Sequence, residues 1–364
     1  MIFGNFSQEP NVYFNGRPIE VVQCYKCLGN VVNTIKTSSG DLFKMNKEYL
    51  CNKARGAIFS LMKKTRCIAP LPPKCMFYMF EAMIEPILMY GSDVWGINSI
   101  IGDKSDKIMF SFIRNILHVK ITTSNEISIG ESGLIPVSVN ANVNSLKYFV
   151  RRYNLPNNMP VKLVFNELQR LHELGYKNWY SKTLNLAEQY SIDLYEFNMN
   201  SVKHLKKRIL NDFKSKWLES IHNNESSRII KSYGLIKKRF GIEIYLNEIK
   251  EQKYRIALSR LRTSSHILEI ERGRHAKPKI SFDKRLCPKC NTIEDERHFV
   301  SDCKLYEQER NEMFSRIQNY YQYNINLELN LSYEELMCHE DPMVLNALGK
   351  YVYNAFKKRD QLIS

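Results

Sequence analysis

At 364 residues, 44% of them hydrophobic and 25% charged, the chain has material for two or three cores and is not a disordered polymer. Its net charge of +15 is uneven: residues 201–285 carry 22 Lys and Arg against 9 Asp and Glu, whereas residues 286–364 carry 9 against 13. A block that basic is the usual footprint of a polyanion partner, and nine cysteines at irregular spacing exclude a disulfide scaffold.

The opening stretch alternates and turns like β structure. Val12-Tyr13-Phe14 meets the hairpin dipeptide Asn15-Gly16, Ile19-Glu20-Val21-Val22 returns, and Tyr25 to Val32 is expected to continue extended through Gly29. Cys24 and Cys27 make a first C-x2-C pair, but no His or Cys follows at ligand spacing, so the pair reads as packing. From Leu42 the period becomes helical, with Met45, Tyr49, Ala54, Ile58 and Leu61 on one face. After Pro70, Pro72 and Pro73, a more buried helix is expected from Lys74 to Met89, kinked or ended by Pro86. A break at Gly91 to Gly96 and a third helix from Ser105 to Leu117 follow, with Tyr90 and Trp95 as core. The most apolar window, Met76 to Ile97, contains Glu81, Glu85 and Asp93, which suits a buried helix and not a membrane span. No signal segment opens the sequence, so the expected location is intracellular and reducing, nucleus or cytoplasm.

Thr122 to Pro136 is turn-rich, and helical patterns dominate from Val137 to Ile270, broken at Asn154 to Pro160 and His222 to Ser227. Then comes Cys287-Pro288-Lys289-Cys290, followed by His298 and Cys303, a C-x2-C-x7-H-x4-C pattern. Three thiolates and one imidazole at this spacing are the ligand set of a closed zinc site, and four protein ligands leave no open position for catalysis. One structural Zn²⁺ is the expected cofactor. Glu294-Asp295-Glu296 are expected to make the tip of this knuckle acidic, which counts against its gripping phosphate. Beyond it, Tyr306 to Tyr321 reads as helix, Asn324 to Leu331 as loop and Pro342 to Leu362 as a final helix.

Within the basic block, Lys237-Lys238-Arg239 sit in a predicted helix near Tyr233 and Tyr245, and Arg262, Arg272 and Arg274 surround Glu271. These six cations are the candidate nucleic-acid contacts, because guanidinium matches phosphate and interleaved aromatics stack bases. The alternatives are a salt-bridge cluster for the arginines, core positions for the tyrosines and a solvated face for the lysines. Ser264, Ser265 and His266 have no third group at interpretable spacing and read as turn or helix-end residues.

Several of these stretches, in order, resemble non-LTR (LINE-type, jockey-like) retrotransposon reverse transcriptases in the part after the polymerase active site. Phe3-Gly4, Asn15-Gly16-Arg17-Pro18-Ile19-Glu20-Val21-Val22 and Tyr25-Lys26-Cys27-Leu28-Gly29 are similar to the family's last palm hairpin, with Cys27 where an aromatic is common. Pro86-Ile87-Leu88-Met89-Tyr90-Gly91-Ser92-Asp93-Val94-Trp95-Gly96 is similar to its thumb signature. Thr123-x-Asn125, Gly130-Glu131 and Gly133-x-x-Pro136 match a following stretch. Arg262-x-Ser264-Ser265-His266 through Gly273-Arg274, and the Cys287 to Cys303 cluster with Glu294-Asp295-Glu296-x-His298-Phe299, match the end.

The family's polymerase chemistry needs carboxylates holding two metal ions, two of them from an aromatic-x-Asp-Asp turn. This sequence has no adjacent Asp pair. The resemblance therefore implies a mainly α chain, the thumb and C-terminal zinc-knuckle region of an RNA-directed DNA polymerase lacking the catalytic palm. In that plan residues 1–36 are a remnant of the palm hairpin, 37–120 a thumb-like helical bundle, 121–285 a basic helical linker, 286–310 the CCHC knuckle and 311–364 C-terminal helices. Such a fragment, from a truncated element or a frame beginning upstream, binds RNA or DNA, element RNA included, and has no catalytic residues of its own. A reading of another class is a non-enzymatic protein-interaction module, or a non-functional remnant of a truncated element.

Overall fold

The computed structural model describes residues 12–19, 22, 24–33, 42–68, 71–322 and 331–363. Phe3-Gly4, Glu20-Val21, Pro70 and positions 324–330 of the expected loop lie outside the described residues. In chain order the strands are β1 (Tyr13–Phe14), β2 (Arg17–Pro18), β3 (Cys24–Cys27) and β4 (Asn30–Asn33). The helices are α1 (Lys44–Ile68), α2 (Pro73–Met79), α3 (Glu85–Leu88), α4 (Ser92–Trp95), α5 (Lys104–Leu117), α6 (Asn125–Ser132), α7 (Val137–Tyr153) and α8 (Pro160–Glu173). They continue as α9 (Trp179–Gln189), α10 (Val202–His222), α11 (Arg228–Ile236), α12 (Tyr245–Glu248), α13 (Gln252–Arg262), α14 (Glu269–His275), α15 (Glu307–Gln322), α16 (Tyr333–Cys338) and α17 (Pro342–Ile363). The fold is mainly helical, as the sequence patterns imply. Among the described residues, no helix is long and apolar enough to cross a membrane.

β1 and β2 pair antiparallel across Asn15 and Gly16, at φ 48° and 73°. Two central residues with positive φ make the tight turn that suits twisted strands. The segment from Tyr25 to Val32 is not one extended run. It folds back at Leu28 and Gly29, φ 47° and 86°, into a second hairpin, β3 with β4. Tyr90 holds that turn, its hydroxyl donating to the Leu28 carbonyl at 2.6 Å. Tyr90 is accordingly 49% exposed and not core, whereas Trp95 is buried as expected, against Leu50 and Ala141.

The expected helix over Lys74 to Met89 passes Pro86 through a π-helical turn, Phe80–Ile84, in which the Glu85 N–H reaches the Phe80 carbonyl. Proline lacks an N–H and crowds the carbonyl four residues back, and the widened turn takes up that defect. The stretch expected to be turn-rich carries α6, whose residues Ile127 to Ser132 are all buried. Ser and Gly lower its intrinsic helix propensity, and burial outweighs it.

The chain forms two compact units that interleave in sequence. One comprises Met1–Ala69, Met79–Met109 and Ile135–Asp212, the other Pro70–Tyr78, Phe110–Leu134 and Phe213–Ser364. Positions 36, 120, 285 and 310 each lie inside a continuous segment of one unit.

The first unit is built around α7, whose Phe149 ring lies 5.1 Å from both Phe165 and Tyr180. Lys162 is buried in this aromatic cluster, its Nζ donating to the Tyr153 carbonyl at 2.5 Å. The second unit buries Trp217, Tyr233, Tyr245, Leu258, Leu261, Ile317, Tyr351 and Val352. α10 belongs to the first unit up to Asp212 and to the second from Phe213, and its buried residues are Val202, Leu205, Ile209, Phe213, Trp217 and Ile221, the three-and-four spacing of one helix face. Lys203, Lys206, Lys207, Lys214 and Lys216 fall on its exposed side.

Candidate metal centre and basic surface

Cys287, Cys290, His298 and Cys303 converge in the second unit, their ligand atoms all within 4.8 Å of one another. A short β bridge, Leu286 with Ile293, starts the knuckle. The Cys287 N–H donates to the Thr292 carbonyl at 2.7 Å, and Asn291 takes φ 55° to reverse the chain. His298 and Cys303 come from a π-helical turn, closed by the Cys303 N–H to the His298 carbonyl at 2.9 Å. This places both donors on one side.

The donor set fits zinc. The Cys303 sulfur lies 3.6 Å from that of Cys287 and 3.8 Å from that of Cys290. Tetrahedral thiolates about 2.3 Å from a common ion stand about 3.8 Å apart. His298 Nδ1 is 3.3 Å from Thr292 Oγ1, while its Nε2 is buried without a hydrogen-bond partner. A metal is the natural partner for Nε2, with the Nδ1–H on Thr292 fixing the tautomer. Burial and the neighbouring sulfurs push the Cys303 thiol up to about 12. A divalent cation among the thiolates removes that cost. The main-chain N–H groups of Lys304 and Leu305 favour the thiolate forms of Cys290 and Cys303.

The knuckle is embedded in its unit. Phe299 is fully buried, 4.8 Å from the Tyr306 ring and stacked 4.9 Å from Phe356, and its carbonyl accepts from the Tyr351 hydroxyl at 2.6 Å. The acidic tip expected at Glu294-Asp295-Glu296 is not there. Glu294 and Glu296 are buried and face inward, and Asp295 Oδ1 accepts from the His298 N–H at 2.9 Å. Glu294 pairs with Arg359 at 2.8 Å and accepts from the Glu269 N–H at 2.7 Å. Glu296 accepts from Arg228 at 3.2 Å, and from Ser264 Oγ and His266 Nε2 at 3.0 Å each. Ser264 and His266 thus meet through a carboxylate and make no serine–histidine pair, in keeping with a structural role.

The six candidate contacts separate into two buried, three exposed and one half-buried residue. Lys237 and Arg262 are buried, 1% and 3% exposed, so neither head reaches a surface phosphate. α11 ends at Ile236, so Lys237-Lys238-Arg239 follow the helix and do not sit in it. Lys237 turns inward to the Glu243 carboxylate and to the Gly241 carbonyl at 2.7 Å. Arg262 bonds Glu131 at 3.1 Å and Glu243 at 2.7 Å, not Glu271. Tyr233 and Tyr245 are core, their hydroxyls donating to Glu131 at 2.9 and 2.6 Å. The Gly130-Glu131 and Arg262 stretches, far apart in sequence, therefore meet in one buried ionic network. Removing one partner strands the others, at about 3–5 kcal/mol. The lone acid in the buried run Ile127 to Ser132 was the one sequence signal for this network. Lys238, Arg239 and Arg272 are exposed, Arg239 beside Glu340 at 2.7 Å and Arg272 beside Glu269 at 3.3 Å. Arg274 is half-buried and pairs with Glu271 at 2.6 Å.

A scan against protein-family models, a search of curated proteins and a search of solved structures each find no match to this chain.

Proposed function

We propose that the chain is a nucleic-acid-binding protein built around one structural zinc, equivalent to the thumb and C-terminal part of a LINE-type reverse transcriptase and without polymerase activity of its own. One observation carries the binding reading. Of the 22 cations in residues 201–285, Lys237, Arg262 and Arg285 are buried and Arg228, Arg255 and Arg274 half-buried, which leaves 16 exposed. Ion pairs to carboxylates take up few of these 16, Arg239 and Arg272 among them, so the excess charge faces solvent, where a polyanion gains from releasing its counterions. The resemblance supplies the identity of that polyanion, and the absence of an adjacent Asp pair argues against primer extension.

A filter-binding titration with RNA tests the reading. With roughly 6 to 10 phosphates engaged, affinity falls about 10³- to 10⁵-fold between about 50 and 200 mM salt. Lys238→Glu with Arg239→Glu weakens all sequences alike, as expected for backbone contacts. Weak binding with a flat salt response overturns it and favours protein interaction. That second reading has its own observation: α8 exposes Val161, Leu163 and Val164, and Leu174 after it, on a helix that needs no exposed apolar side chain.

A further inference from the structure

Residues 276–284 form a loop between α14 and the metal knuckle, and the fold fixes it at its middle and at its exit. The Ile280 N–H donates to the Gly273 carbonyl at 3.0 Å. Arg285 is buried, and its guanidinium donates to the Ile280 carbonyl at 2.9 and 3.1 Å and to the Ile270 carbonyl at 3.0 Å. Only glycine fits at 273, since a Cβ there would meet Arg285 Cγ at 2.7 Å. The Arg285 carbonyl in turn accepts from the Glu294 N–H at 3.0 Å, tying the loop's exit to the knuckle.

What this fixed loop displays is unusual for a solvated surface. Lys277, Lys279 and Lys284 are exposed and make no ion pair with a carboxylate among the described residues, and neither does Lys289 on the knuckle. Phe282 stands 48% exposed among them. A buried arginine that holds backbone carbonyls in place, while unpaired lysines and an aromatic ring face water, is the arrangement of a docking surface.

We propose that loop 276–284 is a platform for single-stranded nucleic acid, with Lys277, Lys279 and Lys284 on successive phosphates and Phe282 stacked on a base. It rests on the nucleic-acid reading above. A single exposed ring flanked by lysines needs an unpaired base face, which a duplex keeps inside its stack. An acidic peptide would use the lysines but gain little from the ring.

The test is fluorescence anisotropy on the full chain with a labelled single-stranded oligouridine, a duplex RNA of equal length and polyglutamate as competitor. Phe282→Ala is expected to weaken single-strand binding roughly 5- to 150-fold, leave duplex binding within about twofold, and be rescued by Phe282→Trp. Reversing Lys277, Lys279 and Lys284 to Glu should make the slope of log affinity against log salt shallower by about 2. Zinc content and circular dichroism of each variant report that the fold is retained. Equal loss on single strand and duplex, or no loss in Phe282→Ala, overturns the platform, as does polyglutamate competing equally with wild type and Phe282→Ala. Steep wild-type binding unchanged in both loop variants sinks the platform alone and leaves the broader reading standing. No wild-type binding to any RNA sinks both.

Discussion

In the first unit Asp106 accepts from Ser138 Oγ at 2.6 Å, the Ser138 N–H at 3.0 Å and the Gly102 N–H at 2.9 Å, and Glu85 accepts from Asn140 at 2.6 Å. In the second unit Glu131 sits against Arg262, and Glu296 against Arg228 and His266. Neutral donors do not cover the desolvation of a carboxylate, so burial pushes Asp106 up to about 6 and Glu85 up to about 7. Burial also opposes ionisation of Glu131 and Glu296. There the charges of Arg262 and Lys237 on the one, and the His266 hydrogen bond and Arg228 on the other, hold both below the ordinary range. Glu294 lies between the two cases: burial raises it and Arg359 offsets only part. One unit thus stores its buried acids among neutral groups and the other among cations, so the two should answer to different perturbations.

The largest separation should come from the metal. Structural zinc contributes about 10–16 kcal/mol in small peptides, as much as the whole stability of a typical domain. The knuckle carries Phe299 at the centre of an aromatic cluster and Glu294 and Glu296 as anchors, so its loss removes core and ionic partners together. Purified protein should hold one zinc per chain. Chelation, or Cys287→Ser with Cys290→Ser, should release it and abolish hydrogen-exchange protection in α13, α15 and α17, with α7 and α9 affected much less. Less than about 0.2 zinc per chain in the wild type, or full zinc in the double variant, rules the site out.

A change of pH sharpens the contrast at smaller cost. Glu85 is raised from about 4.5 to about 7, so its contribution to stability is complete below about 4.5 and lost as pH rises through about 7. Glu131 and Glu296 are lowered, so their contributions are present above the ordinary carboxylate value and lost as pH falls through the folded value. Intrinsic-rate-corrected protection of α7 should therefore be greater at about pH 5 than at about pH 8, and that of α13 should fall first on further acidification. Glu85→Gln should stabilise the first unit by roughly 1–3 kcal/mol at about pH 8 and leave it unchanged below about pH 4.5. Equal responses of the two units would remove the distinction.

The metal ligands were legible because ligand type and spacing survive in a linear text, and the long helices because their apolar period repeats over many turns. The inward charges were not. Lys237 and Lys238 are neighbours in sequence, yet one is 1% exposed and the other lies at the surface, and nothing local separates them. What decides is a partner far along the chain: Arg262 and Glu131 stand 131 residues apart. Glu294-Asp295-Glu296 mislead for the same reason, since an acidic run looks solvated until Arg359 and Arg228 arrive from elsewhere. α6 is hidden because its Ser and Gly content speaks for a turn, while the contacts that make it a helix are tertiary.

The smallest effect expected is at the other C-x2-C pair, which has the spacing of the knuckle and none of its surroundings. Cys24 and Cys27 lie on β3, where residues three apart point to opposite faces, so their sulfurs diverge from any shared ion. Cys287 and Cys290 instead flank a tight turn with Asn291 in the left-handed region, which brings both sulfurs to one side. Cys24 and Cys27 are exposed, and their cross-strand neighbours are Asn33 and Asn30, neither of them a thiol or an imidazole. Cys24→Ser with Cys27→Ser should leave the zinc content at one per chain and shift stability by no more than about 0.5 kcal/mol, as for surface substitutions away from special geometry. Elemental analysis and a urea titration beside the Cys287→Ser/Cys290→Ser variant measure both. Zinc lost from the hairpin variant would mean that spacing alone, and not the turn that carries it, makes the ligand.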